Sequence, residues 1–268
     1  MVSAVFHYLG PAIAVLLFAH VQVLGVAWLR IGSAALIFAL WRRPWRVVSQ
    51  LDSRQRLTLL GLASVLAVMN SSFYLAVDRL PLSTVGAIEF LGTIILALAG
   101  MRTRRNIVAL ALAVTGVAVL TDIRLTGEPL GFLFAFANCV LFMLYVVLGH
   151  RVANAARVSG IDQLGAAMLV ASVVAAPIGL PYAVSAFSHP EWLLVGICVG
   201  ICSSVIPYVT DQLAMARLPR ATFALMLAIL PASAAVIGAL VLRQIPSGRD
   251  IAGILLVILG VGLHRPPA

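Results

Sequence analysis

Lysine is absent from this chain, and charge of either sign is scarce. All 18 basic residues are arginine, nine residues are acidic, and charged side chains fill 10% of 268 positions. A soluble domain carries about 25%. With 62% hydrophobic residues, the composition demands a membrane. No G-x-x-x-x-G-K-[ST] loop occurs, so an ATP site of that kind is excluded. No H-E-x-x-H and no C-x-x-C pair is present, and neither metal nor cofactor is expected. The three cysteines, Cys139, Cys198 and Cys202, fall in apolar runs and are expected to be buried free thiols. The histidines His7, His20, His150, His189 and His264 are scattered near run ends. The net charge of +9 does not indicate nucleic acid. The arginines sit in short loops beside apolar runs, as the positive-inside rule predicts for a bilayer protein.

A spanning helix needs roughly 20 apolar residues, so the chain has room for about ten. Hydropathy and turn residues place them at 2–19, 23–41, 57–77, 82–100, 106–122, 129–149, 162–182, 192–214, 220–242 and 250–264. Leu80-Pro81, Leu218-Pro219 and Pro129 mark turns. Residues 1–18 lack a basic start and a cleavage site and read as a first helix. That helix is short, so a start further upstream is expected. Thirteen arginines, among them Arg42, Arg43, Arg46, Arg54 and Arg56, fall on the side of loop 41–56. Four, Arg79, Arg124, Arg243 and Arg249, fall on the other side. Both termini are therefore expected in the cytoplasm. Trp41, Trp45 and Trp192 end apolar runs and read as interface anchors.

An ordered set of residues recurs. Leu75-Ala76, Arg79-Leu80-Pro81 and Thr84 reappear 138 positions later as Leu213-Ala214, Arg217-Leu218-Pro219 and Thr222. Arg105-Asn106-Ile107 with Gly116-Val117 reappears 144 positions later as Arg249-Asp250-Ile251 with Gly260-Val261. The expected architecture is an all-α membrane protein of ten transmembrane helices in two inverted five-helix repeats, 1–122 and 129–268. Inverted repeats are a transporter signature, with the substrate site near the midplane.

Two charges stand alone in apolar runs. Arg30 lies 12 residues before Arg42, and Glu89 lies 13 before Arg102. At about 1.5 Å per residue, both sit roughly 18–20 Å from one membrane face. A charge at that depth is costly and marks a functional site by default. Gly86, Gly92 and Thr93 flank Glu89 at helical spacing, which suits a cavity wall or a close helix contact. Two readings stand: a site for substrate or a coupling proton, or an Arg30–Glu89 pair that only holds the bundle. Further polar stripes are Asn70, Tyr74 and Asp78; Asn138 and Tyr145; and Ser204, Tyr208 and Asp211. They face a cavity or bond neighbouring helices, and Asp211 alternatively pairs with a nearby arginine. Pro207 and Pro231 fall within helices and free backbone carbonyls that kink the chain or face a site. Gly196 and Gly200 form a GxxxG pattern, expected in packing within the chain.

The pattern Leu29-Arg30, Met69-Asn70, Phe73-Tyr74-Leu75, Leu80-Pro81-Leu82 and Ala87-Ile88-Glu89-Phe90 resembles the EamA-type drug/metabolite transporters. Pro207-Tyr208, Arg217-Leu218-Pro219, Thr222-Phe223 and Pro231-Ala232 extend the resemblance into the second half. Within that group the chain is similar to bacterial threonine/homoserine exporters. It departs at Thr93 and Leu230, where such exporters have proline and glutamate. The resemblance implies a multi-pass protein of the bacterial plasma membrane exporting amino acids or related small metabolites, a monomer or weak dimer. Proton coupling through Glu89 is one option. An intramembrane enzyme and a non-transporting helical scaffold are the alternatives; the first lacks a visible nucleophile–base set, and the inverted repeat speaks against the second.

Overall fold

The computed structural model describes residues 2–100, 103–121, 128–155, 160–217 and 230–263. Within these, every regular element is helical. In order they are α1 Val2–Leu17, α2 Val23–Arg42, α3 Trp45–Gln50, α4 Ser53–Val77, α5 Leu82–Gly100 and α6 Arg104–Thr121. There follow α7 Pro129–Ala155, α8 Gly160–Phe187, α9 Pro190–Gly200, a π-helical turn Ile201–Val205, α10 Ile206–Arg217, α11 Leu230–Leu242 and α12 Gly248–Leu263. In hydrocarbon a helix satisfies its own backbone, so long apolar runs have few other options. Among the described residues, five stretches are long and apolar enough to span: Val23–Arg42, Ser53–Val77, Pro129–Leu148, Ile161–Phe187 and Pro190–Thr210. Val5–Leu17, Leu82–Gly92 and Leu230–Leu242 are shorter apolar helices.

Helix ends follow local chemistry. Arg43 closes α2 in the left-handed conformation (φ 51°), its N–H bonded to Ala39 O, and Pro44 follows at once. The six-residue α3 then fits between α2 and α4, a helix too short for a hydropathy run to signal. α4 begins four residues earlier than its apolar run suggests, because Asp52 and Gln55 form a capping box. Gln55 N–H donates to Asp52 Oδ1 at 2.8 Å, and Asp52 N–H to Gln55 Oε1 at 3.0 Å. The first N–H of α5, on Leu82, donates to Gln244 Oε1 at 3.1 Å, tying α5 to the loop after α11.

The packing crosses between chain halves. α2 lies along α8 and α6 along α12. α1 packs on α9, the π turn, α10 and α11, while α7 packs on α4 and α5. At the α6–α12 crossing, a Cβ on Gly116 would lie 2.6 Å from Gly253 O and 2.9 Å from Val257 N. A Cβ on Gly260 would lie 2.6 Å from Ala109 O and 3.0 Å from Ala113 N. Both glycines are there because two backbones touch. Gly196 packs against Leu29 and Gly200 against Ser33 and Arg30 O, so the GxxxG pattern seats α9 on α2.

Two apolar clusters form the interior. One joins Tyr8, Tyr74, Ile88, Phe132 and Ala234; the other joins Phe38, Leu66 and Met168. Large apolar side chains such as Leu40 and Leu240 point outward, 77% and 78% exposed, as lipid contact requires. Cys139 and Cys202 are buried but Cys198 is exposed, which corrects the expectation for that thiol. An apolar run can face lipid as readily as protein. The turn Leu218-Pro219, with Thr222, Arg102, Arg124, Arg157, Arg220, His264 and Arg265, lies outside the described residues.

Candidate functional site

Pro207 carries no N–H, so the carbonyl four residues earlier, on Ser203, has no α-helical donor. The chain bulges just before it: Ile206 N–H reaches back five residues to Ile201 O, closing the π turn. Arg30, on α2, occupies the gap. Its Nη2 donates to Ser203 O at 3.1 Å and its Nε to Ser204 Oγ at 3.0 Å. The guanidinium also lies over the Tyr74 ring, 5.5 Å from the centroid, in a cation–π contact. Arg30 is buried, yet its charge is answered by a carbonyl, a hydroxyl and an aromatic face.

Glu89 on α5 is also buried. It shares a small cavity with Arg30, Asn70, Asn138, Tyr208 and His7. The two charges form no ion pair within 4 Å; two of the Arg30 donors are turned toward the π turn instead. A permanent Arg30–Glu89 bridge is thereby corrected. Glu89 Oε2 and Asn138 Nδ2 are buried neighbours without a well-formed hydrogen bond, and Tyr8 Oη, Tyr74 Oη and Ser203 Oγ are likewise buried without one of good geometry. Buried polar atoms are nearly always bonded; of these five, those of Glu89 and Asn138 line the cavity. The Tyr8 hydroxyl is seated over α5 one turn before Glu89, where a Cβ on Gly86 would be 2.8 Å from it. The cavity measures about 30 Å³, about the share of one water in the liquid. Met69 of the second apolar cluster and Phe73 of the first, one turn apart on α4, also line it.

The sequence-derived residues separate into groups. Arg30, Asn70, Glu89, Asn138 and Tyr208 meet at the cavity. Tyr74 and Ser204 stand behind it, holding Arg30. Asn70 Nδ2 also donates to Leu66 O at 2.7 Å. Tyr145 does not line the cavity. It shares a helix face with Asn138 but lies two turns further along, with its ring 6.1 Å from Phe142 beside the second cluster. Asp78 caps the end of α4 and pairs with Arg79 at 3.2 Å, away from the site. Pro207 shapes the π turn; Pro231 is buried as the second residue of α11, and what precedes Leu230 lies outside the described residues. The side chain of Asp211 also lies outside the described residues. Sequence reasoning missed His7, Tyr8, Pro11, Phe142 and Ser203. Pro11, inside α1, and His7 one turn before it both line the cavity. A proline within an apolar run was the available signal.

A bundle of apolar helices with two buried charges at a shared cavity has the form of a membrane transporter. The chain belongs to the EamA-like transporter family, whose sequence profile matches residues 129–264. Over 256 residues it is 31% identical to the threonine/homoserine exporter RhtA of Salmonella typhimurium, covering 93% of this chain and 84% of that protein. Over 258 residues it is 32% identical to RhtA of Escherichia coli K12, covering 94% and 83%. One crystal structure superposes with a TM-score of 0.64 at 18% identity, over 97% of this chain and 93% of that one, a likeness of fold.

Proposed function

We propose that the protein is a secondary-active exporter of amino acids or closely related metabolites, with threonine and homoserine the first candidates. The observation that supports this best is the small cavity holding Arg30 and Glu89 without an ion pair between them. Both charges keep capacity for a ligand. Arg30 has donors beyond the two bonds it makes, suited to a substrate carboxylate. Glu89, a buried carboxylate with one oxygen lacking a well-formed hydrogen bond, suits an ammonium group or a coupling proton. About 30 Å³ is too small for any amino acid, so binding requires the helices to part. We read the described geometry as an occluded state of an alternating-access cycle. Two inverted five-helix repeats, 1–122 and 129–268, complete the proposal, with ten spans and both termini cytoplasmic. The reciprocal contacts of Gly116 and Gly260, 144 positions apart, support it: each glycine meets the counterparts of the residues its partner meets.

The test is transport. Cells overexpressing the protein should hold lower internal and higher external threonine or homoserine than cells with empty vector. Purified protein in proteoliposomes should move the same solute. Unchanged pools across a broad amino-acid panel would remove the export reading. Cysteine tags at 53, 103 and 155 should label from the cytoplasm and a tag at 188 from outside; 53 and 188 reporting one side would remove the topology.

A further inference from the structure

A second cavity lies on the outer surface of the bundle, remote from Glu89 and sharing no lining residue with it. It is a groove of about 480 Å³ between α3, the start of α4 and the flank of α8. Pockets of this size take lipid-sized or drug-sized ligands. One wall is apolar, formed by Leu169, Val170 and Val173 of α8 with Val48 of α3. Val173 is 67% exposed and Trp45, at the mouth, 51%. In a bilayer protein, such a wall meets acyl chains. The other feature is charge. Arg56 lines the groove, and among the described residues its side chain makes only a long bond, from Nη2 to Ser49 O at 3.4 Å. The stretch 42–56 carries five arginines and one acidic residue, Asp52, which is spent on capping α4. Arg42 is taken by Asp162, while Arg43, Arg46 and Arg54 are exposed and have no acidic partner among the described residues.

An apolar wall below an excess of free guanidinium groups, with a tryptophan at the interface, has one natural complement: an acyl chain ending in a phosphate. We infer that this groove is a binding site for an anionic phospholipid, its chain along α8 and its headgroup phosphate on Arg56. The inference rests on the membrane character of the fold and is independent of what the central cavity carries. Arginine presents a planar fork that matches phosphate oxygens. A neutral, zwitterionic lipid would fill the wall equally well but leave the surplus charge unanswered.

The test uses the full-length protein in nanodiscs of phosphatidylcholine doped with phosphatidylglycerol, released into native mass spectrometry. Wild type should retain phosphatidylglycerol over phosphatidylcholine. Arg56→Gln should lower that preference about fivefold, the change expected for one charge near a membrane surface. Val170→Trp, which fills the groove, should lower retention of both lipids. Arg104→Gln removes one exposed arginine of the same membrane side, outside the groove, and should retain the wild-type preference. Equal retention of the two lipids by wild type would overturn the inference, as would equal losses in Arg56→Gln and Arg104→Gln. If Arg56→Gln does not assemble, wild-type selectivity and Val170→Trp still decide: a groove that can be filled with no loss of lipid is not the site.

Discussion

The two halves of the chain meet at the cavity with different chemistry. Among the described residues, both buried charges, Arg30 and Glu89, belong to residues 2–121. Residues 128–263 answer with neutral groups: Asn138, Ser203 and Ser204. The helical contacts are near-reciprocal, as at Gly116 and Gly260, but the polar groups are not. Charge against neutral dipole is a joint that can be opened. Breaking one side of a buried ion pair costs about 3–5 kcal/mol, while a hydrogen bond to a charged group is worth about 1.5–3 kcal/mol. Under the alternating-access cycle proposed above, in which the halves part and close, the second arrangement is the cheaper one to open. The one bidentate ion pair between α2 and α8, Arg42 with Asp162, sits instead at the exposed end of both helices.

The largest expected effect is from Arg30→Ala. It strips the donor from Ser203 O and Ser204 Oγ and removes the cation from the Tyr74 face. The orphaned carbonyl alone costs about 1–3 kcal/mol, and lost packing adds to it. Expected is a fall in folded protein extracted from membranes and no measurable transport by what remains. Arg30→Lys keeps charge but not the fork, and should recover abundance more than transport. Full activity in Arg30→Ala would mean that the joint between halves lies elsewhere.

Glu89→Gln comes next and separates charge from shape. The amide keeps the size and hydrogen-bonding capacity while deleting the proton. If Glu89 couples transport to a proton gradient, the variant should assemble at wild-type abundance and still exchange solute across proteoliposomes. Its uptake should no longer respond to an imposed pH difference, whereas wild-type uptake should. Gradient-driven accumulation retained in Glu89→Gln would assign Glu89 to structure.

The extent to which this was legible in the sequence depends on length scale. Helices of 20 apolar residues announce themselves because the bilayer admits little else. The equal depth of Arg30 and Glu89 followed from counting residues to flanking arginines, and the structure brings the two into one cavity. Azimuth was harder. Asn138 and Tyr145 share a face, but seven residues are about 10 Å of rise, so one reaches the cavity and the other does not. The π turn has no composition of its own; Pro207 says that a carbonyl is freed, not which side chain takes it. His7 and Tyr8 were hidden because α1 was read only for hydropathy. The partners of Arg30 needed three dimensions: they are 173 and 174 positions away.

Pro207→Ala tests the freed carbonyl with a smaller effect. It restores an N–H that can bond Ser203 O within the helix, relaxing the π turn toward a regular helix. Stability of the single variant should change by about 1 kcal/mol or less. The informative quantity is the coupling. In the Pro207→Ala background, Arg30→Ala no longer orphans Ser203 O, so its cost should shrink by about 0.5–3 kcal/mol relative to wild type. Thermal unfolding of the four proteins in one detergent measures this. Strict additivity would show that Arg30 and the proline-freed carbonyl act separately.

The smallest effect is expected at Arg42 and Asp162, which sharpens the contrast by its weakness. The geometry is good, Nε to Oδ1 at 2.6 Å and Nη2 to Oδ2 at 3.0 Å. The side chains are, however, 35% and 19% exposed, so water and salt compete for them. Exposed pairs are typically worth about 0.2–1 kcal/mol. Asp162→Asn should lower the unfolding temperature slightly at low salt, and the difference should shrink toward 1 M salt, where screening acts over about 3 Å. Transport should stay within about twofold of wild type, because losing at most about 1 kcal/mol of stability need not touch the transport step. The exchange Arg42→Asp with Asp162→Arg should restore whatever was lost. A larger transport defect in Asp162→Asn than in Arg30→Ala would invert the comparison: the ion pair at the end of α2 would then be the working joint, and the neutral contacts at the π turn its fixed support.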